Sequence, residues 1–297
     1  MKKIYLLSGL LICGFLVWYL MLKPYDYLVS FKAKTFPGAI NQSIKLWNVS
    51  LKGAHIEKTD NLLELKQIVP YNDSTFQYHY KIVPINDSTS QVKVYVTDLD
   101  HSFNNRITYP FFDTDFEKRV KNSLVGFSDN LNEHISRFKV KIEGESEIRE
   151  SYCAYVSIEC DQVEKALGMM QNYSNLTKDL LAEQIELDGR PFISVTNWDT
   201  KNDRIQYDFC YPVKNVDSSY THANISFKKI KRKKALKAIY NGNYITSDRA
   251  WYALLDYANK NNIEVENKPF EVFQNNPNMG GNELEWTTEV YMPIIEK

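Results

Sequence analysis

The feature that most constrains this chain is that its second half holds the same short pattern twice. Ile185-Glu-Leu-Asp-Gly-Arg-Pro-Phe192 is echoed by Ile263-Glu-Val-Glu-Asn-Lys-Pro-Phe270, and Asp208-Phe-Cys-Tyr-Pro-Val213 by Glu289-Val-Tyr-Met-Pro-Ile294. Each echo follows its partner by about 80 residues, room for one supersecondary unit per copy. Two matches in the same order at a nearly constant offset point to a duplication. Each copy reads as helix, turn, strand, loop, strand. The last strand carries an acid and stops at a proline, which cannot donate to a ladder. A further strand, over 152–158 in one copy and 235–240 in the other, precedes each helix. The expectation is two βαββ units.

The terminal run Glu285-Trp-Thr-Thr-Glu-Val-Tyr-Met-Pro-Ile294 is rich in β-branched and aromatic residues, as strands are. Alternation sets Thr287, Glu289 and Tyr291 on one face, and Gln206, Asp208 and Cys210 on the matching face of the first copy. A carboxylate such as Glu289 either faces water there or lines a site. If the copies pack about a pseudo-twofold axis, Asp208 and Glu289 are expected beside that axis, sharing a partly apolar site. Like charges so placed raise at least one pKa. A cationic aromatic ligand would relieve the repulsion and gain cation–π contact worth about 0.5–2 kcal/mol. The candidate walls are Trp198, Tyr240, Tyr244, Trp251, Trp286 and Tyr291, each of which has core packing as its alternative role.

Three segments, Lys237-Ala-Ile-Tyr-Asn-Gly-Asn-Tyr244, Phe270-Glu-Val-Phe-Gln-Asn-Asn-Pro277 and the terminal Glu289-Val-Tyr-Met-Pro-Ile294, resemble the GyrI-like domain. This is the effector-binding domain of certain bacterial transcription activators. The resemblance implies paired βαββ units with a cleft for small, often aromatic or cationic molecules. It also implies a carboxylate in that cleft at the position of Glu289. Some GyrI-like relatives hydrolyse reactive small molecules, and for that chemistry Glu289 would be the base and Tyr244 the orienting hydroxyl. An interaction module with no ligand is the third reading. No helix-turn-helix or zinc finger accompanies the domain, so transcriptional control by the chain itself is not inferred.

Ile4–Leu22 carries no charge and is flanked by Lys2, Lys3 and Lys23. About 20 apolar residues cross a bilayer as a helix. Trp18, Tyr19, Leu20 and Met21 stand where a cleaved signal would need small residues, so an uncleaved single-pass anchor is expected. The short basic tail places the N-terminus in the cytoplasm and the remainder outside it.

Beyond the anchor, residues 25–34 read as a strand and 37–46 as a short helix opened by Pro37. Phe76, Tyr78, Tyr80 and Ile82, then Val92, Val94 and Val96, alternate with polar residues as half-buried strands do. A last strand is expected to end near 106–112. Thr114-Asp-Phe-Glu117 has the form of a capping box. Behind it Phe116, Val120, Leu124, Phe127, Leu131 and Ile135 recur at helical spacing. This order, with Tyr25-Asp-Tyr-Leu-Val-Ser-Phe-Lys-Ala-Lys-Thr-Phe-Pro-Gly38 at its head, resembles the START-like (polyketide-cyclase-like) helix-grip fold. That resemblance implies a curved sheet around a long helix, with either an open cavity or a filled core. The charged stretch 141–150 marks the expected boundary, and the polar stretch 214–223 joins the two copies. The basic run 228–234 reads as an edge strand guarded by lysines, with anionic lipid as the alternative.

The expected architecture is therefore α+β in three parts: anchor 1–23, helix-grip domain 24–145, GyrI-like domain 146–297. A formal charge of −1 over 297 residues argues against direct nucleic-acid binding. His55, His79, His101, His134 and His222 lack metal-ligand spacing, and Cys153, Cys160 and Cys210 form no disulfide framework. No P-loop, dinucleotide glycine motif or nucleophile turn is present, so neither metal nor cofactor is expected. The expected partners are a small-molecule ligand and, through Ile4–Leu22, a membrane.

Overall fold

The structure, a computed structural model, describes residues 2–59, 61–214 and 225–296. All but the first residue of the stretch 214–223 falls outside these, as does His222. The chain divides into two compact units, 1–133 and 134–297.

The N-terminal unit begins with helix α1 (Lys2–Val17), which runs on through a wider π turn, Trp18–Leu22. There follow β1 (Tyr27–Ala33), α2 (Pro37–Ser50), β2 (His55–Ile56), β3 (Glu64–Pro70), β4 (Thr75–Asn86) and β5 (Thr89–Asp98). Helices α3 (Ser102–Thr108) and α4 (Asp115–Ser136) complete it. The strands form one antiparallel sheet in the order β1-β5-β4-β3-β2. Strict alternation along β4 and β5 buries Phe76, Tyr78, Tyr80, Val92, Val94 and Val96 on one face. The stripe Phe116, Val120, Leu124, Phe127 and Leu131 of α4 is buried, and rings of the two elements meet at Phe76–Phe116 and Tyr80–Phe127. Half of the expected capping box forms: the Glu117 N–H donates to Thr114 Oγ1 at 3.1 Å. The Glu117 carboxylate turns instead to Tyr27 and Lys121.

Where a last strand is expected to end, the chain is instead helix to Thr108 and turn from there to 112. The stretch 106–112 alternates in hydrophobicity, yet Asn105 N–H donates to His101 O, Tyr109 N–H to Asn105 O and Phe112 N–H to Thr108 O. Helical bonds win because β5 ends at Asp98, whose carboxylate accepts the His101 N–H and opens the turn.

The second unit comprises β6 (Phe138–Ile148), β7 (Ser151–Asp161), α5 (Lys165–Ala182), β8 (Phe192–Asp199) and β9 (Arg204–Pro212). It continues with β10 (Ser226–Ile230), β11 (Lys233–Gly242), α6 (Arg249–Lys260), β12 (Phe270–Phe273) and β13 (Thr287–Pro293). The charged stretch expected as a boundary is thus mostly strand: β6 pairs with β11 over its whole length. All eight strands form one sheet, β10-β7-β9-β8-β12-β13-β11-β6.

The duplication is visible in the register. Across the centre Phe270 faces Ser194 and Val272 faces Phe192, a self-complementary pairing when Phe192 is equated with Phe270. Leu187 bridges Val213 in one copy as Val265 bridges Ile294 in the other. Both helices end on a left-handed residue, Gln184 at φ 56° and Asn262 at φ 55°. Just past them Ile185 N–H reaches Leu180 O and Ile263 N–H reaches Ala258 O, the Schellman arrangement.

The sheet is curled, and connectivity is the reason. β6 and β7 lie six strand spacings apart, about 29 Å if flat. Only residues 149–150 link them, so their ends stand within about 11 Å. Residues 231–232 impose the same on β10 and β11. One end of the trough is thereby drawn shut. Ile148, Cys153, Phe192, Cys210, Ala235, Phe270 and Tyr291 fill it with a buried cluster on the inner face. Helices α5 and α6 cover the outer face.

Candidate functional site

Alternation along β9 and β13 carries Asp208 and Glu289 inward, each two residues beyond a member of the closed-end cluster, Cys210 or Tyr291. Asp208 and Glu289 occupy equivalent positions in the two copies. β8 and β12 lie between their strands, and the two acids do not share one partner. Each acid holds its own ammonium. Lys228 of β10 is bonded to Asp208, which also accepts Ser157 Oγ at 2.6 Å, and lies 4.8 Å from the Tyr155 ring centroid. Lys237 of β11 lies 3.4 Å from Glu289 and 3.5 Å from Glu143 of β6, and 5.6 Å from the Tyr291 ring centroid. The Tyr291 hydroxyl donates to Glu289 at 2.6 Å. Burial, then that hydrogen bond, pushes the Tyr291 phenol up, so it remains a donor. Burial pulls the Lys228 ammonium down, but Cys210 and Asp208 outweigh it and hold the group above its ordinary value.

Between the two acids Phe192 and Phe270 stack with centroids 4.7 Å apart, an arrangement worth about 0.5–1.5 kcal/mol beyond area burial. The Glu289 side chain is 29% and the Lys237 side chain 18% exposed, so the second ion cluster is partly buried.

Four expected wall residues lie elsewhere. Trp198, Tyr240 and Trp251 are core residues on the outer face, where Trp198 packs edge-on against Trp251 and Tyr252. Tyr240 sits on the helix side of β11, with its hydroxyl on Thr246 and Asn243 O. Tyr244 packs against Phe273 and Trp286, and its hydroxyl is spent on the backbone of Asn275 and Thr287. The Glu289–Tyr244 pairing needed for the hydrolase reading is therefore not formed. Glu289 is bonded by Tyr291 and Lys237 instead.

Sequence reasoning missed the residues that balance the acids. Lys228 stood in a basic run read as edge protection, and β10 is indeed an edge strand, but this lysine turns inward. Lys237 and Glu143 gave no local signal, since β6 and β11 pair across about 100 residues of sequence. A second buried pair also escaped notice. Lys165 and Glu271, both fully buried, meet at 2.8 Å beneath the outer face. Ser247 Oγ and Trp251 Nε1 also donate to Glu271. Burial pushes the Glu271 carboxyl up against the pull of Lys165. Removing one partner of such a pair costs about 3–5 kcal/mol. With no exposure to solvent, this cluster is structural.

The N-terminal unit has a hollow of about 450 Å³ bounded by α3, the first turns of α4 and the end of β5, with Phe76 and Phe116 among its walls. Its polar groups are engaged with one another. Ser74 and Asn105 donate to Asp98, and Arg119 grips Asp73 at 2.6 and 3.2 Å. The trough is the better candidate because its carboxylates hold lysine ammonium groups beside aromatic rings. Among the described residues no cluster of three or more His, Cys, Asp and Glu is arranged for a metal ion.

A doubled βαββ sheet with an acid facing inward from each copy is the architecture of a small-molecule binding domain. Residues 147–295 match the family described as the GyrI-like small molecule binding domain, and the chain belongs to that family. Among solved structures it is similar to the EcmrR C-terminal domain (18% identity, TM-score 0.45, covering 54% of this chain and 99% of that one). It is also similar to EcmrR in a complex with DNA (15%, 0.46, 66% and 72%) and to SAV2435 bound to tetraphenylphosphonium (12%, 0.37, 52% and 94%). No curated protein sequence matches.

Proposed function

We propose that this protein is a membrane-tethered receptor for small aromatic cations, which it holds on the inner face of the C-terminal sheet. The observation that supports this reading most is the environment of Lys237. Its ammonium sits between two carboxylates, Glu289 and Glu143, with the Tyr291 ring near it. That is the surrounding an aromatic or quaternary cation would select, and a ligand would take it by displacing the lysine's flexible arm. The Asp208, Lys228 and Tyr155 group repeats the chemistry in the other copy. Glu289, Tyr291 and Asp208 are the ligand-binding residues of this reading, and Trp286 borders the site where β13 begins. Ile4–Leu22 serves as the anchor, with the N-terminus cytoplasmic and both units beyond the membrane. The N-terminal unit, whose sheet is covered by α4, is read as a helix-grip domain with a filled core.

Calorimetric titration with tetraphenylphosphonium tests the binding reading. Removing the charge in Glu289→Gln weakens binding about tenfold, the equivalent of ~1.4 kcal/mol. Removing the competing ammonium in Lys237→Met strengthens it. An absence of binding by the unaltered protein, or equal affinities in all three, would sink the reading.

A further inference from the structure

Helix α3 is inside out. Three of its polar residues point into its own unit: Ser102 Oγ and Arg106 Nε each donate to Asp26 at 2.6 Å, and Asn105 Nδ2 donates to Asp98 at 2.8 Å, while Asn104 is exposed. Its apolar residues point to solvent, with Phe103 57% and Ile107 42% exposed. Because helical bonds persist beyond Thr108, Phe111 continues the same i, i+4 stripe at 78% exposure, with Phe112 beside it at 70%. A water-facing helix has the opposite polarity.

We propose that this stripe is a second membrane contact, inserted into the interface between headgroups and acyl chains. The proposal rests on the reading of Ile4–Leu22 as an anchor. What identifies the occupant as lipid is continuity. The surface of Ile4–Leu22 is exposed along its length. Its last turn is tied to α3 by Arg106 Nη1, which donates to Leu20 O at 3.1 Å, while Lys23 lies over the rings of Tyr19 and Tyr25. The apolar surface thus passes from one helix to the other where a spanning helix leaves the bilayer, the level at which aromatic side chains settle. No lysine stands within the stripe, and Asp100 and Asp113 are its charged neighbours in sequence. Apolar burial therefore drives the contact, which needs no anionic lipid. The role of α3 is to hold the N-terminal unit against the surface and stop it turning freely about the anchor.

The test uses the full-length protein in phosphatidylcholine nanodiscs, with one nitroxide label at a time in a Cys13→Ala, Cys160→Ser background. Labels replace Ile12 in the anchor, Phe111 or Phe112 in the stripe, or Ile85. Ile85 lies near the β4–β5 turn, about 30 Å of strand away from Asp98. The expected result is that the labels at 12, 111 and 112 are relaxed by oxygen dissolved in lipid and shielded from an aqueous nickel chelate, while the label at 85 is not. A label replacing Ile107 shows the same shielding and loses it in a Phe103→Ser, Phe111→Ser, Phe112→Ser variant. If the labels at 111 and 112 report water while the label at 12 reports lipid, the second contact is refuted and the anchor stands. If the label at 12 also reports water, the anchor reading fails and the second contact fails with it. Shielding seen only with anionic lipid, and lost in high salt, would refute apolar insertion.

Discussion

At the scale of single residues, His134 carries a pH dependence that can be signed in advance. Its Nε2 accepts from Arg249 Nε at 3.2 Å, which requires the neutral ring. Burial first, then the Arg249 charge, lowers its pKa from 6.5 to about 4. Asp248, bonded to Arg249, pulls the other way and is overcome. A depressed pKa means that the folded state binds the proton less readily than the unfolded one. The stabilisation is complete above about pH 6.5 and is lost as pH falls toward about 4, by up to about 3 kcal/mol. Thermal unfolding followed across that window should show the loss. In His134→Asn, which keeps an acceptor and removes the titration, the slope across the same window should flatten.

At the scale of elements, α5 approaches β9 closely at one glycine. Gly168 lies in the first turn of α5, and a Cβ built there would stand 2.6 Å from the Tyr207 hydroxyl and 3.1 Å from Ile158. That hydroxyl is fixed, because it donates to Lys165 O at 2.7 Å. The glycine therefore serves contact between helix and sheet, at some cost in helix propensity. Gly168→Ala should destabilise the unit by about 1–3 kcal/mol in urea unfolding. Much of the element order was legible because burial follows local periods: alternation in β4 and β5, helical spacing in α4, repeated proline-ended strands in the duplication. The error at 106–112 shows where this fails. Ile107, Tyr109 and Phe111 satisfy a period of two, and Phe103, Ile107 and Phe111 a helical stripe. Long-range bonds from Asp26 and Asp98 decided between them.

At the scale of the molecule, one apolar helix precedes two independently cored units. If Ile4–Leu22 is the anchor, a chain beginning at residue 24 should move from the membrane pellet to the soluble fraction. It should keep its affinity for tetraphenylphosphonium, since the trough is built wholly from residues beyond 134. A truncated chain that stays in the carbonate-washed pellet would show that the apolar helix is not what holds the protein there.

The sequence by itself determined the duplication, the inward direction of Asp208 and Glu289, and the apolar character of the N-terminal helix. Each of these depends on residues a few positions apart, where backbone period alone sets direction. Only the tertiary structure decided what the acids meet. Lys237 and Glu143 reach Glu289 because β11 pairs with β13 on one side and with β6 on the other, neighbours that are about 50 and 100 residues apart in sequence. Trp198 and Tyr240 lie on the strand face that meets the helices, and α6 brings Trp251 into the same core, a division of faces that depends on where the helices pack.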